Sequence, residues 1–321
     1  MNKYDLVILG GGPGGYNAAF RAAELGKKVA IVDDNNLGGV CLNWGCIPTK
    51  SLLKNAEAMD LINASELYGI SVKDITVDFN FIINKSVKAR QRLSRGLHHQ
   101  VKKNNIDFHA GFGTFTDKNT MIVNDISITG ETFIIATGSK PRTLPNLDAD
   151  QDKIVYAKDI FQMTSIPKSM TIIGAGAIGV EFAYFFNSFG TQVTLIEAEE
   201  TILPHEDKEV SHWVEKTFKK KKINVLTNTL AKKIDDEKIL ISVGVEGNSM
   251  GMGLEELGIE LSASNHIIVD KNGKTNIDNI YAVGDVIGAP WLAHVSAAEG
   301  LYVAEHLCGL NPREINYNSI P

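Results

Sequence analysis

Cysteine is scarce in this chain, which has only three in 321 residues: Cys41, Cys46 and Cys308. Small secreted domains held by disulfides use cysteine far more densely, so a disulfide-stapled scaffold is excluded. A zinc site is disfavoured because Cys308 has no partner at ligand spacing and a second ligand pair is missing. Two interpretations remain for the pair at 41 and 46: two buried structural cysteines, or a redox pair in a reducing compartment.

Long apolar runs are missing as well. No segment reaches the ~18 apolar residues of a membrane-spanning helix, and the run over 6–9 is too short for the core of a signal peptide. We therefore expect a protein with no membrane segment and no export signal. The expected location is the cytoplasm, or the mitochondrial matrix if the source is eukaryotic.

Excess positive charge is also absent, since the formal net charge is -6 at pH 7. Broad nucleic-acid binding needs a basic surface that neutralises phosphates, so no nucleic-acid partner is expected. The four lysines at 219–222 are the exception. They follow a predicted helix that starts near Glu206, so cations at a helix C-terminus explain them better than a polyanion site.

The remaining composition is typical of a soluble globular protein, with 44% hydrophobic and 22% charged residues. A chain of 321 residues exceeds one ordinary core, so two domains or slightly more are expected.

The cysteine pair lies in the segment 38–50, Gly-Gly-Val-Cys-Leu-Asn-Trp-Gly-Cys-Ile-Pro-Thr-Lys. Glycines loosen the approach, which predicts that Cys41 ends a loop. Pro48 suits the first turn of a helix, so Cys46 is predicted to open one. This arrangement can bring the two Cα atoms within the ~4.4 to 6.8 Å that a disulfide requires. Backbone N–H groups and the helix dipole favour a thiolate at Cys46, which favours the redox interpretation.

A dinucleotide fingerprint stands near the start of the chain. The pattern G-x-G-x-x-G is formed by Gly10, Gly12 and Gly15, and Asp33 follows the last glycine by 33 − 15 = 18 residues. The glycines permit a tight turn and a close approach to a pyrophosphate, and the acid can accept hydrogen bonds from ribose hydroxyls. The elements predicted around it are a strand over 4–9, a helix over 16–25 and a strand over 28–32.

The fingerprint is repeated later with the same spacing. Gly174, Gly176 and Gly179 are followed by Glu197 after 197 − 179 = 18 residues. This internal repeat predicts two bound nucleotides. Glu197 can bind a free 2′-hydroxyl and repels a 2′-phosphate, so NAD is expected at the second site. The elements predicted here are a strand over 170–173, a helix over 180–189 and a strand over 192–196.

The predicted fold class is α/β, with two Rossmann-like dinucleotide-binding domains and the NAD unit inserted into the first unit. Between the fingerprints, a long basic amphipathic helix is predicted from Phe79 to about Asn104, followed by short strands. A later strand and a helix return the chain to the first domain. The predicted domains are 1–146 for the first nucleotide and the redox disulfide, 147–264 for NAD and 265–321 for the return segment.

The segment from Gly38 to Lys50 resembles the active-site signature of the flavin-dependent pyridine nucleotide disulfide oxidoreductases, and most resembles that of the dihydrolipoamide dehydrogenases. The resemblance implies FAD and NAD as cofactors and no metal. It makes Cys41 the sulfur that exchanges with substrate and Cys46 the sulfur beside the flavin. It pairs Lys50 with Glu181 near the flavin, although Glu181 could also be a solvated helix residue.

The same resemblance supplies further expected cofactor contacts. Gly244 is expected at the NAD site. His294 matches a position where the family uses backbone, and a catalytic side chain is the alternative. Residues expected near FAD, besides those of the first fingerprint, are Gly39, Lys50, Gly113, Ala136, Thr137, Gly138, Asp285 and Ala293.

The implied reaction is oxidation of protein-bound dihydrolipoamide to lipoamide with NAD as acceptor. The implied partner is the lipoyl group of an acyltransferase component of a 2-oxo acid dehydrogenase complex, and the family implies a homodimer. The alternatives are an NAD(P)H-dependent reductase of another small disulfide, and a catalytically impaired flavoprotein fragment.

Three departures from the family keep these alternatives open. Residues 244–248, Gly-Val-Glu-Gly-Asn, stand where the family has Gly-Arg-x-Pro-Asn, and the segment near 236–239 is shorter than usual. The family's C-terminal dimerisation domain, with its His-Glu acid/base pair, has no counterpart in these 321 residues. From the sequence we therefore expect a monomer with weak acid/base catalysis.

Overall fold

The computed structural model describes residues 2–34 and 37–320. The strands in chain order are β1 (Asn2–Leu9), β2 (Val29–Asp33), β3 (Asp107–Ala110), β4 (Gly113–Asp117), β5 (Thr120–Val123), β6 (Ile126–Ile135), β7 (Ser139–Pro141), β8 (Ile154–Val155), β9 (Ser169–Ile173), β10 (Gln192–Ile196), β11 (Asn224–Leu226), β12 (Lys238–Ile241), β13 (Val245–Gly247) and β14 (Ile280–Ala282). The α-helices are α1 (Pro13–Glu24), α2 (Gly39–Asn43), α3 (Cys46–Asn63), α4 (Phe79–Lys103), α5 (Ala157–Ile160), α6 (Ala177–Ser188), α7 (Lys208–Lys220) and α8 (Ala293–Leu307).

The chain forms two compact units, each made of separate segments. Unit 1 contains Met1–Asn43, Gln91–Lys140 and Glu246–Pro321, and unit 2 contains Trp44–Arg90 and Pro141–Val245. Residues 44–90 therefore pack with unit 2, although the sequence analysis grouped them with the first fingerprint. The domains predicted from the nucleotide fingerprints, 1–146, 147–264 and 265–321, stay a prediction about which nucleotide each segment binds.

Unit 1 is built on a seven-stranded sheet in the order β3-β2-β1-β6-β5-β4, with β14 also paired to β6. Strands β1, β2, β3, β6 and β14 are parallel, whereas β4 and β5 are antiparallel. On β1, Leu6 and Ile8 pack in a core with α1, α4 and α8. Val7 and Leu9 pack in a second core on the other face. Because both faces are covered, the strand is apolar without interruption.

Unit 2 is built on a five-stranded parallel sheet in the order β11-β10-β9-β12-β8. Met170 and Ile172 of β9 pack against helices in the larger core of this unit, and Ile173 packs in the smaller one. Strands β9 and β10 are adjacent and parallel, so their carboxyl ends lie at one edge of the sheet. Ligands of open α/β sheets bind outside that edge, which is where the second fingerprint begins.

The predicted α/β class with parallel Rossmann-like sheets is confirmed, and one local prediction is wrong. Cys41 was expected at the end of a loop, but it lies in the short helix α2 (Gly39–Asn43). Gly38 and Gly39 have φ of 113° and 58°, so the glycines bend the chain just before this turn instead of leaving the cysteine in a loop. The lysine run at 219–222 does lie at a helix C-terminus, since Lys219 and Lys220 are in the last turn of α7 and Lys221 is its C-cap.

Candidate functional site

The loop of the first fingerprint is closely packed against its own strand. Gly10 has φ of 107°, and a Cβ atom there would lie 2.3 Å from the Ala136 carbonyl oxygen. A Cβ atom on Gly15 would lie 1.9 Å from the Gly10 carbonyl oxygen. Side chains are therefore excluded at both positions. This brings the predicted residues Gly10, Gly15 and Ala136 together where β1 ends and α1 begins.

Asp33, at the end of β2, fixes the middle of this loop. Its Oδ2 accepts a hydrogen bond from the Gly11 N–H at 2.6 Å. The carboxyl group thus lies at the carboxyl edge of the sheet, beside the N-terminus of α1. This is the place where an acid can reach a ribose next to a pyrophosphate.

The second fingerprint repeats this arrangement in unit 2. Gly174 has φ of 95°, and a Cβ atom there would lie 2.4 Å from the Ser242 carbonyl oxygen. A Cβ atom on Gly179 would lie 2.0 Å from the Gly174 carbonyl oxygen. The buried carboxylate of Glu197 accepts from the Ala175 N–H at 2.6 Å through Oε2. Its Oε1 accepts from the Glu199 N–H at 3.0 Å.

The middle glycines, Gly12 and Gly176, show that both loops fit a bound nucleotide. They cap α1 and α6 without a side-chain hydrogen bond, so backbone N–H groups of the first turn face outward. A Cβ atom on Gly12 would come no closer than 3.7 Å to another residue, and one on Gly176 would meet nothing within 4 Å. Protein packing does not require glycine at either position. The open space above a helix N-terminus suits a pyrophosphate.

The loop that precedes Cys41 lies directly on the first fingerprint. The Gly38 N–H donates to the Gly11 carbonyl at 2.7 Å. A Cβ atom on Gly39 would lie 2.7 Å from the Gly12 Cα, so the predicted residue Gly39 is held against the fingerprint. Buried Asn43 supports this loop, because its Nδ2 donates to the Gly39 carbonyl at 3.0 Å. The sequence analysis did not assign a role to Asn43.

Cys41 and Cys46 are disulfide-bonded, and Cys308 is free. Cys46 is the first residue of α3, whose N-cap, Gly45, makes no side-chain hydrogen bond. The first turn of α3 contains no acidic residue. A thiolate at Cys46 would therefore face unsatisfied N–H groups and the positive end of the helix dipole. In this structure Cys46 is exposed and Cys41 is half-buried.

One turn after Cys46, Lys50 forms an ion pair with Glu181 of α6. The Lys50 Nζ donates to the Glu181 Oε1 at 2.7 Å, and both residues belong to unit 2. The Lys50 side chain is 61% exposed, so the pair itself contributes little to stability. Its geometry places a cation on the face of α3 that also carries Cys46. The roles of both residues at a flavin stay a prediction.

Asp285 follows β14 and is held by two hydroxyl groups of unit 1. Ser139 donates to its Oδ2 at 3.1 Å, and Ser296 of α8 donates to its Oδ1 at 3.4 Å. Burial raises the pKa of Asp285, and these hydrogen bonds act in the opposite direction. Ala293 is the first residue of α8, and His294 beside it is exposed. Both interpretations of His294, a backbone contact and a catalytic imidazole, stay predictions.

The strand end at Ala136 continues into a polar contact with a segment far along the chain. The Thr137 hydroxyl donates to the Asn248 carbonyl at 2.7 Å, and the Asn248 N–H donates to the Gly138 carbonyl at 3.0 Å. Gly113 lies in the core of the same unit, where a Cβ atom would press on Met121 at 2.6 Å. Thr137, Gly138 and Gly113 stay predicted flavin neighbours.

The segment that departs from the family motif has its own packing. The Gly247 N–H donates to the Ser264 carbonyl at 3.0 Å, a bond that proline at this position could not form. A Cβ atom on Gly247 would lie 2.2 Å from the Asn265 carbonyl oxygen. Gly244 is open, since a Cβ atom there would meet nothing within 4 Å. It stays a predicted NAD contact.

Within residues 2–34 and 37–320, no group of three or more His, Cys, Asp or Glu side chains is placed to hold a metal ion. None of the helices described is both long and apolar enough to cross a membrane.

The chain was compared with known proteins. The family model described as pyridine nucleotide-disulphide oxidoreductase matches residues 4–300. A dihydrolipoyl dehydrogenase of Zymomonas mobilis is 39% identical over 347 aligned residues, which cover 100% of this chain and 74% of that protein. A dihydrolipoyl dehydrogenase of Acholeplasma laidlawii is 38% identical, with 98% of this chain and 99% of that protein covered.

A solved structure is also similar. It is the HOCl-induced flavoprotein disulfide reductase RclA from Escherichia coli, with a TM-score of 0.86 and 26% identity. The match covers 97% of this chain and 72% of the other.

Proposed function

Because this chain belongs to the pyridine nucleotide-disulphide oxidoreductase family, whose members are flavin-dependent and use FAD and NAD, we propose that it oxidises dihydrolipoamide to lipoamide with NAD as acceptor. The observation that carries the proposal is the disulfide between Cys41 and Cys46. Cys46 is the first residue of α3, and the N-cap residue of this helix makes no side-chain hydrogen bond. The dihydrolipoyl dehydrogenases of Zymomonas mobilis and Acholeplasma laidlawii support the substrate.

The proposed sulfur chemistry is two successive thiol–disulfide exchanges. A substrate thiolate attacks the Cys41 sulfur, the bond between the two cysteines breaks, and Cys46 leaves as a thiolate. The second thiolate of the same substrate then attacks the substrate sulfur that is bonded to Cys41. The mixed disulfide breaks, and Cys41 leaves as a thiolate. The substrate is oxidised to a cyclic disulfide, the protein is reduced to a dithiol, and the two substrate protons pass to base or solvent.

Exposure alone does not select the sulfur that is attacked, because Cys46 is the more exposed of the two. The leaving group decides it. Expelling Cys46 places the new negative charge at the N-terminus of α3, where N–H groups and the helix dipole stabilise it. A lower thiol pKa makes a better leaving group, so attack at Cys41 is the faster route.

FAD supplies the two-electron chemistry that reoxidises the dithiol and passes the electrons to NAD. For FAD, the proposed contacts are the fingerprint in unit 1 with Asp33, and Asp285 held by Ser139 and Ser296. Lys50 and Glu181 would set the charge near the flavin. In unit 2, Glu197 would select NAD, because its carboxylate accepts from ribose hydroxyls and repels a 2′-phosphate.

A second candidate function is the reduction of another small disulfide by a reduced nicotinamide nucleotide. The likeness to RclA, a flavoprotein disulfide reductase, favours it. The same sulfurs would serve with the electrons moving in the opposite direction. Glu197 still favours NADH over NADPH in that case.

The proposed partner is the lipoyl group of an acyltransferase component of a 2-oxo acid dehydrogenase complex, and the proposed location is the cytoplasm. The similarity to the dihydrolipoyl dehydrogenases of Zymomonas mobilis and Acholeplasma laidlawii supports the proposed partner.

The two candidates are separated by kinetics on the FAD-loaded chain. Oxidation of dihydrolipoamide by NAD would be compared with NADH-driven reduction of glutathione disulfide. We expect kcat/KM for dihydrolipoamide to be at least about tenfold higher, equivalent to ~1.4 kcal/mol of transition-state binding. Faster turnover of glutathione disulfide would favour the second function, whereas equal use of NADPH would contradict the role of Glu197 in both.

A further inference from the structure

A buried carboxylate on α8 holds the turn that carries Asp285. Glu299 is only 6% exposed, and its Oε2 accepts from the Gly284 N–H at 2.6 Å. Gly284 has φ of 78° and begins a short helical turn over Gly284–Ile287. A hydrogen bond from a backbone N–H to a buried carboxylate is charge-assisted and stronger than a neutral one. The orientation of the turn therefore depends on Glu299.

The same face of α8 holds this turn at a second point. Ser296, three residues before Glu299, donates to the Asp285 carboxylate at 3.4 Å. Residues three apart lie on one face of a helix, so α8 binds the backbone of one turn residue and the side chain of the next. Both contacts lie within unit 1. Asp285 is thereby fixed relative to α8.

The second oxygen of Glu299 is held by a tyrosine beyond the end of α8. The Tyr317 hydroxyl donates to the Glu299 Oε1 at 2.8 Å. Burial raises the pKa of Glu299, while the bonds from Gly284 and Tyr317 act in the opposite direction, and neighbouring Asp285 raises it again. Both carboxylate oxygens thus have a donor, as a buried charge requires. Without the hydroxyl, one oxygen loses its partner.

We propose that Glu299 and Tyr317 are positioning residues for FAD: the Tyr317 hydroxyl holds the Glu299 carboxylate, which fixes the Gly284 N–H and so the turn that presents Asp285 to the flavin nucleotide. This inference rests on the proposed function, in which Asp285 contacts FAD. It assigns a role in flavin binding to the segment after α8. The residues touch the turn, and they do not touch the reacting atoms.

The test uses a substitution that removes only a hydroxyl. Tyr317 is 47% exposed, so Tyr317→Phe opens no buried cavity. Tyr302→Phe is the matched control, because the Tyr302 hydroxyl donates to Asn272 at 2.9 Å, away from Glu299. Release of FAD would be followed by flavin fluorescence after dilution of the loaded full chain.

We expect Tyr317→Phe to release FAD roughly tenfold faster, as for loss of one hydrogen bond to a charged group, and Tyr302→Phe to behave as wild type. In a Glu299→Gln background, Tyr317→Phe should add less than about twofold, because the two residues act in series. Equal release by the two Phe variants, or an undiminished effect in the Glu299→Gln background, would overturn the proposal.

A second measurement does not need flavin. Amide hydrogen exchange of the flavin-free chain reports directly on the segment 283–287, which contains the Gly284 N–H. We expect faster exchange there in Tyr317→Phe than in Tyr302→Phe, and unchanged exchange would refute the inference. A wild-type chain that binds no FAD would count against the proposed function alone, since the exchange experiment would still test the contact.

Discussion

The two fingerprint regions have nearly the same backbone but different neighbours. Gly12 has φ and ψ of -74° and -175°, and Gly176 has -70° and -174°. In each loop an acid accepts from the N–H just before this glycine at 2.6 Å. The two loops differ in sequence, yet the φ and ψ angles of their middle glycines agree within a few degrees. We call each glycine loop with its acid a frame. This frame is the part that we propose to bind a nucleotide, and it does not by itself select a reaction.

The two frames differ in the helix that packs against them. In unit 1, α1 packs on α8 so closely that a Cβ atom on Gly300 would lie 2.1 Å from the Gly14 carbonyl oxygen. Helix α8 brings Ser296 and Glu299 to the turn of Asp285. In unit 2, α6 packs on α3, which carries the redox cysteine and Lys50. The two fingerprint regions therefore differ in the side chains that their neighbouring helices bring to them.

The largest effect is expected at the disulfide, which is needed for the reaction but not for binding of the nucleotides. Cys41→Ser or Cys46→Ser should lower dihydrolipoamide oxidation by a factor of at least about 10³, because the exchanging sulfur or its leaving group is gone. Binding of both nucleotides should persist. Cys308→Ser is the control, and steady-state kinetics with equilibrium dialysis are the measurements. A disulfide variant with near-normal turnover would contradict the assignment.

The next prediction separates the two frames with one pair of substitutions. Gly12→Ala and Gly176→Ala fit the protein, but each Cβ would occupy the space expected for a pyrophosphate. Overpacking of ~1 to 3 kcal/mol corresponds to a roughly 5- to 150-fold loss of affinity. Gly12→Ala should weaken FAD binding only, and Gly176→Ala should weaken NAD binding only, by calorimetric titration.

Gly96→Ala is the control for both glycine substitutions. Gly96 lies within α4, and a Cβ atom there would meet nothing within 4 Å. It should retain both nucleotides and gain ~0.5 to 1 kcal/mol of stability. Equal loss of both nucleotides in either fingerprint variant would mean that the frames are not independent sites.

A smaller effect is expected at the two acids. Glu197→Gln should reduce the preference for NAD over NADP by about tenfold, since a hydrogen bond to a charged group contributes ~1.5 to 3 kcal/mol. Asp33→Asn, the matched change in the first frame, should weaken FAD binding and leave the nicotinamide preference unaltered. Dissociation constants for both dinucleotides check this. A shifted nicotinamide preference in Asp33→Asn would invert the assignment.

The smallest effect concerns a polar network in unit 1 that joins β1 to β3. The buried Tyr4 hydroxyl donates to Asp107 at 2.8 Å and contacts the His109 Nε2 at 3.0 Å. Burial lowers the pKa of His109, against a weaker opposing effect of Asp107. The unfolded state therefore binds a proton first as the pH falls below the ordinary value of 6.5.

Stability should consequently decrease as the pH falls from 6.5 toward the lowered pKa of His109, and be unaffected by this group above that window. His109→Gln should make the thermal midpoint less dependent on pH between 7 and 5.5. Differential scanning calorimetry at several pH values would measure this. An unchanged pH dependence would show that the imidazole does not titrate between the two states.

Much of the frame is visible in the sequence, because it depends on local patterns. A basic amphipathic helix was predicted from Phe79 to about Asn104, and α4 spans Phe79–Lys103. The strand over 192–196 matches β10 (Gln192–Ile196). Glycine spacing and an acid at the end of a strand are constraints that a backbone imposes within 25 residues or so, and they leave a readable signal.

The sequence analysis missed what depends on distant partners. Strands β7, β8, β11 and β13 have two or three residues each, and their pairing comes from other segments. Ser139 reaches Asp285, 146 residues away in the chain, and Tyr317 reaches back to Glu299 from beyond the end of α8. No periodicity reveals either contact. Glu299 did leave a signal, since a carboxylate on the buried face of α8 requires donors. That signal indicates burial, and it does not name the donors.

The central claim is that NADH binds the second frame and its electrons reach the disulfide of Cys41 and Cys46. The most direct test counts free thiols with a chromogenic reagent in denaturant, after anaerobic treatment of the FAD-loaded chain with NADH or NADPH. The account predicts one thiol before reduction, from Cys308, three after NADH and one after NADPH. One thiol after NADH, or three after NADPH, would contradict it.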